Sequence, residues 1–284
     1  MNQLSTEKRA AVVAALVEGN SLRATARLTG VARMTIEKLL RDLGAACAAY
    51  HDANVRGLKS QRVQCDEIWS FVGAKQKNVP EEKRGVWGDC WTWTAIDADT
   101  KLIVSYMVGP RNANIAYEFM RDVSIRLDHP VQMTTDNMKL YLNAVEYAFG
   151  SDIDYAMIEK HYNSAGGNKN QSLSAAARYS PPRLVSAERH VISGRPDPRH
   201  ISTSYVERQN LTMRMHMRRF TRLTNAFSKK VEMHAHAVAL HFMYYNFCKI
   251  HQSLRVTPAM EAGLSDHPWE ISELIASMFG QRAA

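Results

Sequence analysis

The sequence predicts a mixed α/β domain preceded by a small all-α unit, and three observations carry that reading. Residues 7–43 place apolar side chains at helical spacing, punctuated by Gly19, Gly30 and Gly44. Residues 63–72 alternate in the period of a strand, with Val63, Cys65, Glu67, Trp69 and Phe71 on one face and Gln64, Asp66, Ile68 and Ser70 on the other. Two further strand-like runs, 91–96 and 102–108, flank the hairpin turn Asp97-Ala98-Asp99-Thr100; an amphipathic helix over 114–127 and a short strand over 131–135 follow. A chain of 284 residues is long enough for about two domains.

In the N-terminal unit the first helix covers 7–18, with Gly19 as its stop. Ser21 caps a second over 22–28, and Thr29-Gly30-Val31 makes the turn into a third over 32–43, which Gly44 ends. Two short helices joined by a glycine-containing turn resemble the helix-turn-helix family of DNA-binding proteins. In that geometry the second helix of the pair enters the major groove. Arg33, Thr35, Glu37 and Lys38 then face outward, with Ile36 and Leu39 packed inward. The other reading of the same pattern is a helical hairpin that only packs or dimerises.

Charge points the same way. The net charge is +8, which suits an anionic partner. Residues 208–230 hold seven basic side chains and no acid. The four cysteines are scattered without a C-x-x-C pair, which argues against a zinc ribbon or disulfide framework and predicts reduced, packed thiols. The apolar stretch 233–248 is too short and too polar to span a bilayer, and the N-terminus lacks a clean signal peptide, so a cytoplasmic protein is expected.

Three acids stand out by position. Asp66 lies on the first strand, where Glu67 points to the opposite face, and strand parity alone does not choose between them. Asp136 ends the 131–135 strand, where an open α/β sheet usually presents a functional group. Glu207 sits on a helix beginning near Thr203, sharing an arc with Asn210, Arg214 and Arg218, while Val206, Met213, Met217 and Phe220 form the adjoining packing stripe. The histidines near the C-terminal end, His234 and His236 among them, diverge on a helix and read as packing residues.

Asp-Glu-Ile-Trp-Ser-Phe-Val-Gly at 66–73, Thr-Thr-Asp-Asn at 134–137 and Tyr-Val-Glu-Arg-Gln-Asn-Leu at 205–211 resemble the three signature blocks of DDE transposases, nearest to the bacterial insertion-sequence-one type. The resemblance continues through Arg218, Arg219, the run 227–232, His234, Tyr245-Asn246, His251 and Thr257-Pro258, and covers residues 63–262. It implies a ribonuclease H-like mixed sheet flanked by helices, as in retroviral integrases. The implied catalytic and metal-binding residues are Asp66, Asp136 and Glu207, with two Mg²⁺ or Mn²⁺ ions, which a hard carboxylate set suits. The implied activity is cleavage at element ends followed by transfer of the 3′-hydroxyl into target DNA.

The expected organisation is a helix-turn-helix domain at 1–45, a linker at 46–62, the catalytic domain at 63–262 with a loop-rich insertion at 163–200, and a helical tail at 263–284. Residues expected to meet DNA are Arg33, Thr35, Lys38, Asn210, Arg214, Arg218, Arg219 and Arg222. The expected partner is double-stranded DNA, at element ends and target, with no membrane and with at least a homodimer assembled on the DNA. The alternative is a non-catalytic helix-turn-helix regulator or an inactive transposase relic.

Overall fold

The computed structural model describes residues 4–163, 183–221 and 224–280. It opens with three helices, α1 (Thr6–Val17), α2 (Leu22–Thr29) and α3 (Arg33–Asn54). Ser21 caps α2 by accepting from the Ala24 amide at 3.1 Å, and Gly30 closes it in the left-handed region at φ +68°. Ile36 at the start of α3 is fully buried with Val12 and Val31, as its spacing predicts.

Gly44 does not end the third helix. It lies inside α3, which runs on through most of the segment expected to be a linker. The reason is packing. A Cβ at Gly44 would stand 2.5 Å from both Cβ and the carbonyl oxygen of His236. The missing side chain therefore lets α3 lie directly against the helix that carries His236, α7 (Val231–Phe247).

Six strands form one sheet in the order β3-β2-β1-β4-β5-β6. They are β1 (Arg62–Val72), β2 (Gly88–Asp97), β3 (Ile103–Gly109), β4 (Gln132–Asp136), β5 (Asp154–Asn163) and β6 (Arg183–Ser193). β1, β4 and β5 run parallel; β2, β3 and β6 are antiparallel to their neighbours. This is the ribonuclease H-like arrangement. Part of the expected loop-rich insertion is therefore strand: residues 183–193 extend the sheet as its edge, and residues 164–182 lie outside the described ones.

Helices α4 (Ala113–Ser124) and α5 (Leu140–Phe149) cover one face of the sheet, burying Phe119, Met120 and Tyr141 against Cys65 and Trp93. The other face packs on α6 (Ser204–His216) and α7. There the predicted stripe of Val206, Met213, Met217 and Phe220 meets Ile68, Ile96 and Phe242. α7 is buried almost all round, as suits an interior helix. Asn246 pins it to the sheet: its side chain accepts from the Ile103 amide at 2.9 Å and donates to the Ile103 carbonyl at 3.1 Å, at the register shift between β2 and β3.

The end of α3 is fastened too. Arg126 donates to the carbonyls of His51 and Val55 and pairs with Asp52 and Asp122. After the short α8 (Pro258–Glu261), the expected tail forms α9 (Ile271–Gly280), whose Leu274, Ile275 and Met278 join the same core as Val13 and Val17 of α1. Among the described residues no helix is long and apolar enough to cross a membrane.

Gly44→Ala tests the close crossing of α3 and α7. Alanine should gain up to about 1 kcal/mol of helix propensity but lose about 1–3 kcal/mol to overpacking against His236. The expected outcome is net destabilisation, read by urea unfolding.

Candidate active site

β1 and β4 deliver the first two acids. Their pairing ends at Cys65↔Thr135, so Asp136 lies just beyond the ladder, beside Asp66. One carboxylate oxygen each from Asp66, Glu67 and Asp136 falls within 4.8 Å of the others. Strand parity holds along β1: Gln64, Asp66 and Ile68 face α6 and α7, while Cys65 and Glu67 face α4 and α5. Yet Glu67 still reaches the group, because past Thr135 no β4 ladder separates the two faces. Opposite faces of one strand therefore do not keep these neighbouring acids out of one site.

The three carboxylates are differently engaged. Asp66 accepts from the Glu67 amide on Oδ1 and from Asn210 Nδ2 on Oδ2, each at 2.8 Å. Both oxygens of Glu67 are taken: Arg111 lies 2.6 Å from Oε1, and the Tyr141 hydroxyl donates to Oε2 at 3.0 Å. Asp136 accepts only a long bond of 3.2 Å, from the Met138 amide, among the described residues. Arg111 itself lies over the Trp91 ring, 4.8 Å from its centroid.

Glu207 is not in the three-acid group. Its Oε1 accepts from Lys160 of β5 and, at 2.8 Å, from the Thr203 hydroxyl. It is nonetheless close enough for its charge to raise the pKa of both Asp66 and Asp136. What holds it there is Gln64. The Gln64 side-chain oxygen accepts from the amides of Tyr205 (2.8 Å) and Val206 (3.2 Å), capping α6 in place of its own N-cap residue.

Burial followed by the charge of Asp136 pushes Asp66 up to about 7, and burial with both neighbouring acids pushes Glu67 up to about 8. Burial raises Asp136 as well, against the pull of the Met138 amide and Arg111. An all-oxygen donor set under mutual repulsion fits a hard divalent cation such as Mg²⁺ or Mn²⁺. Asp66 and Asp136 are its best ligands, since Glu67 is already paired with the Arg111 cation whereas Asp66 accepts only from neutral donors. Buried Asn210 Oδ1, with no protein partner among the described residues, adds a polar atom next to this set.

The residues expected to meet DNA divide into distinct environments. Arg33, Thr35 and Lys38 are exposed on the first turns of α3, with Arg33 3.4 Å from Glu37. Arg218 is exposed on a short 3-10 turn after α6, and Arg214 is half-buried. Asn210 is turned in to Asp66 and is a carboxylate partner. Arg219 also departs from the expected outward surface: it donates to Ser228 Oγ at 2.9 Å and to the Met233 carbonyl at 3.3 Å, and burial lowers its pKa to about 10. Arg222 lies outside the described residues. His234 packs as expected, between Ser228 (2.8 Å) and Ser70 (3.4 Å).

Sequence reasoning missed Gln64, Arg111, Tyr141 and Lys160. Only Gln64 carried a local signal, sitting one pleat before Asp66 on the same strand face.

Residues 177–248 match the family described as IS1 transposase, a DDE family; the match includes Glu207 and Asn210 but neither Asp66 nor Asp136. Among solved structures, the Mos1 strand transfer complex is similar at 12% identity and a TM-score of 0.24, over 55% of this chain and 59% of that one. The piggyBac transposase synaptic complex with hairpin DNA is similar at 10% identity and a TM-score of 0.40, over 98% of this chain and 71% of that one. At such low scores neither likeness adds to the geometry read from the strand order. No curated protein matches the chain.

The raised carboxylates give the metal-free protein a definite pH dependence. A group protonated more readily when folded than unfolded contributes stability at low pH and loses it as pH rises toward the folded pKa. Without metal, stability should therefore fall between about pH 4 and pH 8, the interval from ordinary carboxylate values to the raised ones. In EDTA, Asp66→Asn should raise Tm at pH 8 by roughly 2–6 °C and have little effect near pH 4. Mn²⁺ should stabilise the wild type and fail to stabilise the variant. Calorimetry at the two pH values checks both.

Proposed function

We propose, from the match of residues 177–248 to the IS1 transposase family together with the geometry of the acids, that the chain is a catalytically competent DNA transposase. The proposed reaction cleaves DNA at the ends of an element and joins the freed 3′-hydroxyl to target DNA. The observation that carries this reading is the convergence of Asp66 and Asp136 beside the helix that bears Glu207.

In this reading Asp66, Asp136 and Glu207 would hold two divalent cations. The bound cations would activate the attacking oxygen and neutralise charge on the phosphate. Asn210 fixes the orientation of the Asp66 carboxylate. Arg111 and Tyr141 keep Glu67 engaged, so that it supports the site without competing for the cation. Water attack breaks the phosphodiester and leaves a 3′-hydroxyl. In the second step that oxygen bonds to a target phosphorus, and the target's own 3′ oxygen leaves with the proton.

The exposed turn of α3, with Arg33, Thr35 and Lys38, is the proposed duplex-reading element, with Arg214 and Arg218 as further phosphate contacts. Bringing two element ends to one target requires two such sites, hence at least two copies of the chain on DNA.

Joining of a pre-cut oligonucleotide to supercoiled plasmid in Mn²⁺ or Mg²⁺ tests the proposal. Asp136→Asn and Glu207→Gln should each lower the joining rate by more than about 100-fold while DNA binding is retained. Wild-type protein that binds native element ends yet neither nicks nor joins would instead be a non-catalytic DNA-binding protein.

A further inference from the structure

A cleft of about 680 Å³ separates the N-terminal helices from the segment that follows α6, within the range of about 300–1,000 Å³ common to ligand sites. Its lining carries five cations that are exposed or sit at its rim: Arg23 of α2, Arg33 of α3, and Arg218, Lys229 and Lys230 across from them. The one acid in the lining, Glu37, already pairs with Arg33. The interior is apolar, built from Leu16, Val17, Leu40, Met233 and Leu240. Half-buried Phe227 completes one wall, its ring stacked on Phe71 at 5.0 Å and 30°.

That wall is held firmly. Ser228 Oγ accepts from Arg219 at 2.9 Å and lies 2.8 Å from His234 Nδ1, while its carbonyl accepts from the Gly73 amide at 2.8 Å. The buried Arg219–Ser228–His234 group, which the proposed chemistry does not use, thus locks Phe227 and Lys229 to the end of β1.

An apolar interior ringed by cations, with an aromatic ring in the wall, is the chemistry that takes unpaired nucleotides. Phosphates follow the cations, and a base freed from its partner offers a π-face to the ring. Paired bases, stacked inside a duplex, offer no such face to an apolar recess.

We infer that this cleft binds a short single-stranded stretch of DNA, with its phosphates on Arg23, Lys229 and Lys230 and an unpaired base against Phe227. The inference rests on the DNA-processing reading above and assigns the unpaired strand a place of its own, distinct from the duplex-reading turn of α3.

Fluorescence anisotropy of the full chain with a labelled oligothymidylate of about ten nucleotides tests it, beside a labelled blunt duplex. Phe227→Ala should weaken oligothymidylate binding by about 5- to 100-fold. The surface double variant Lys229→Glu with Lys230→Glu should weaken it further and flatten its salt dependence. Duplex affinity should change less than oligothymidylate affinity in both, and thermal melts report folding. The double variant keeps the test intact if Phe227→Ala unfolds.

Oligothymidylate binding unchanged in the double variant would overturn the inference. So would a wild type that binds duplex but not oligothymidylate, which leaves the transposase reading standing. Binding to no DNA of either form would remove both. Competition by thymidine monophosphate as effective as by the oligomer would assign the cleft to free nucleotides, and tighter binding of oligouridylate would assign it to RNA.

Discussion

The seat of α6 on β1 is the contact on which the site depends. Asp66 and Glu207 are far apart in the chain, and nothing local relates them. Gln64 relates them by accepting two amides at the start of α6, which sets how far along β1 that helix begins. Asn210, on the same helix, then bonds to Asp66, two residues past Gln64 on the same strand face. Two polar contacts on adjacent turns fix both the position and the rotation of α6, while Val206 and Met213 supply the adhesive burial beneath it. Apolar packing alone is non-directional and would tolerate a slide that polar bonds to specific amides do not.

The charge arrangement answers a second constraint. Four carboxylates lie near one another, and Arg111 and Lys160 pair with two of them. Arg111 and Tyr141 act on Glu67, the acid that would otherwise be left in competition with Asp66 and Asp136. Lys160 acts on Glu207. The remaining pair, Asp66 and Asp136, keeps its mutual repulsion, which is the imbalance a divalent ion would remove. In the proposed reading, that repulsion would cost stability in the metal-free protein and favour cation binding, in keeping with the frequent concentration of perturbed carboxylates at functional sites.

Much of this was legible in the sequence, and the limits have physical causes. Alternation along β1, the hairpin of β2 and β3, the acid at the end of β4 and the apolar stripe of α6 are local patterns, and each lies where its period placed it. Gly44 misled because glycine has two uses. At Gly30 it supplies a positive φ that stops a helix, whereas at Gly44 it makes room for His236, which is nearly two hundred residues away in the chain. Parity placed Glu67 on the correct face, yet it does not show that the two faces meet once the β1–β4 ladder ends. Lys160 and Arg111 had no local signal, since their roles exist only once β5 and the end of β3 lie beside the acids. The strand β6 is exposed nearly throughout, so its residues show little of the burial-driven alternation that marks an interior strand.

The same helix that misled also links the two halves of the molecule. α3 has 22 residues and so spans about 33 Å. Its first turns are exposed, carrying the proposed duplex-reading side chains. Its middle is pressed against α7 through Gly44, and its end is held by Arg126. α7 in turn is pinned to β3 through Asn246 and to the wall of the basic cleft through His234. An exposed reading turn built on a rod embedded in the common core has little freedom to swing independently of β1. Duplex held by that turn would therefore stand at a fixed distance and angle from Asp66 and Asp136, with orientation supplied by the fold before any DNA arrives. The ordering cost of bringing substrate and site together is correspondingly smaller than for two units joined by a flexible linker.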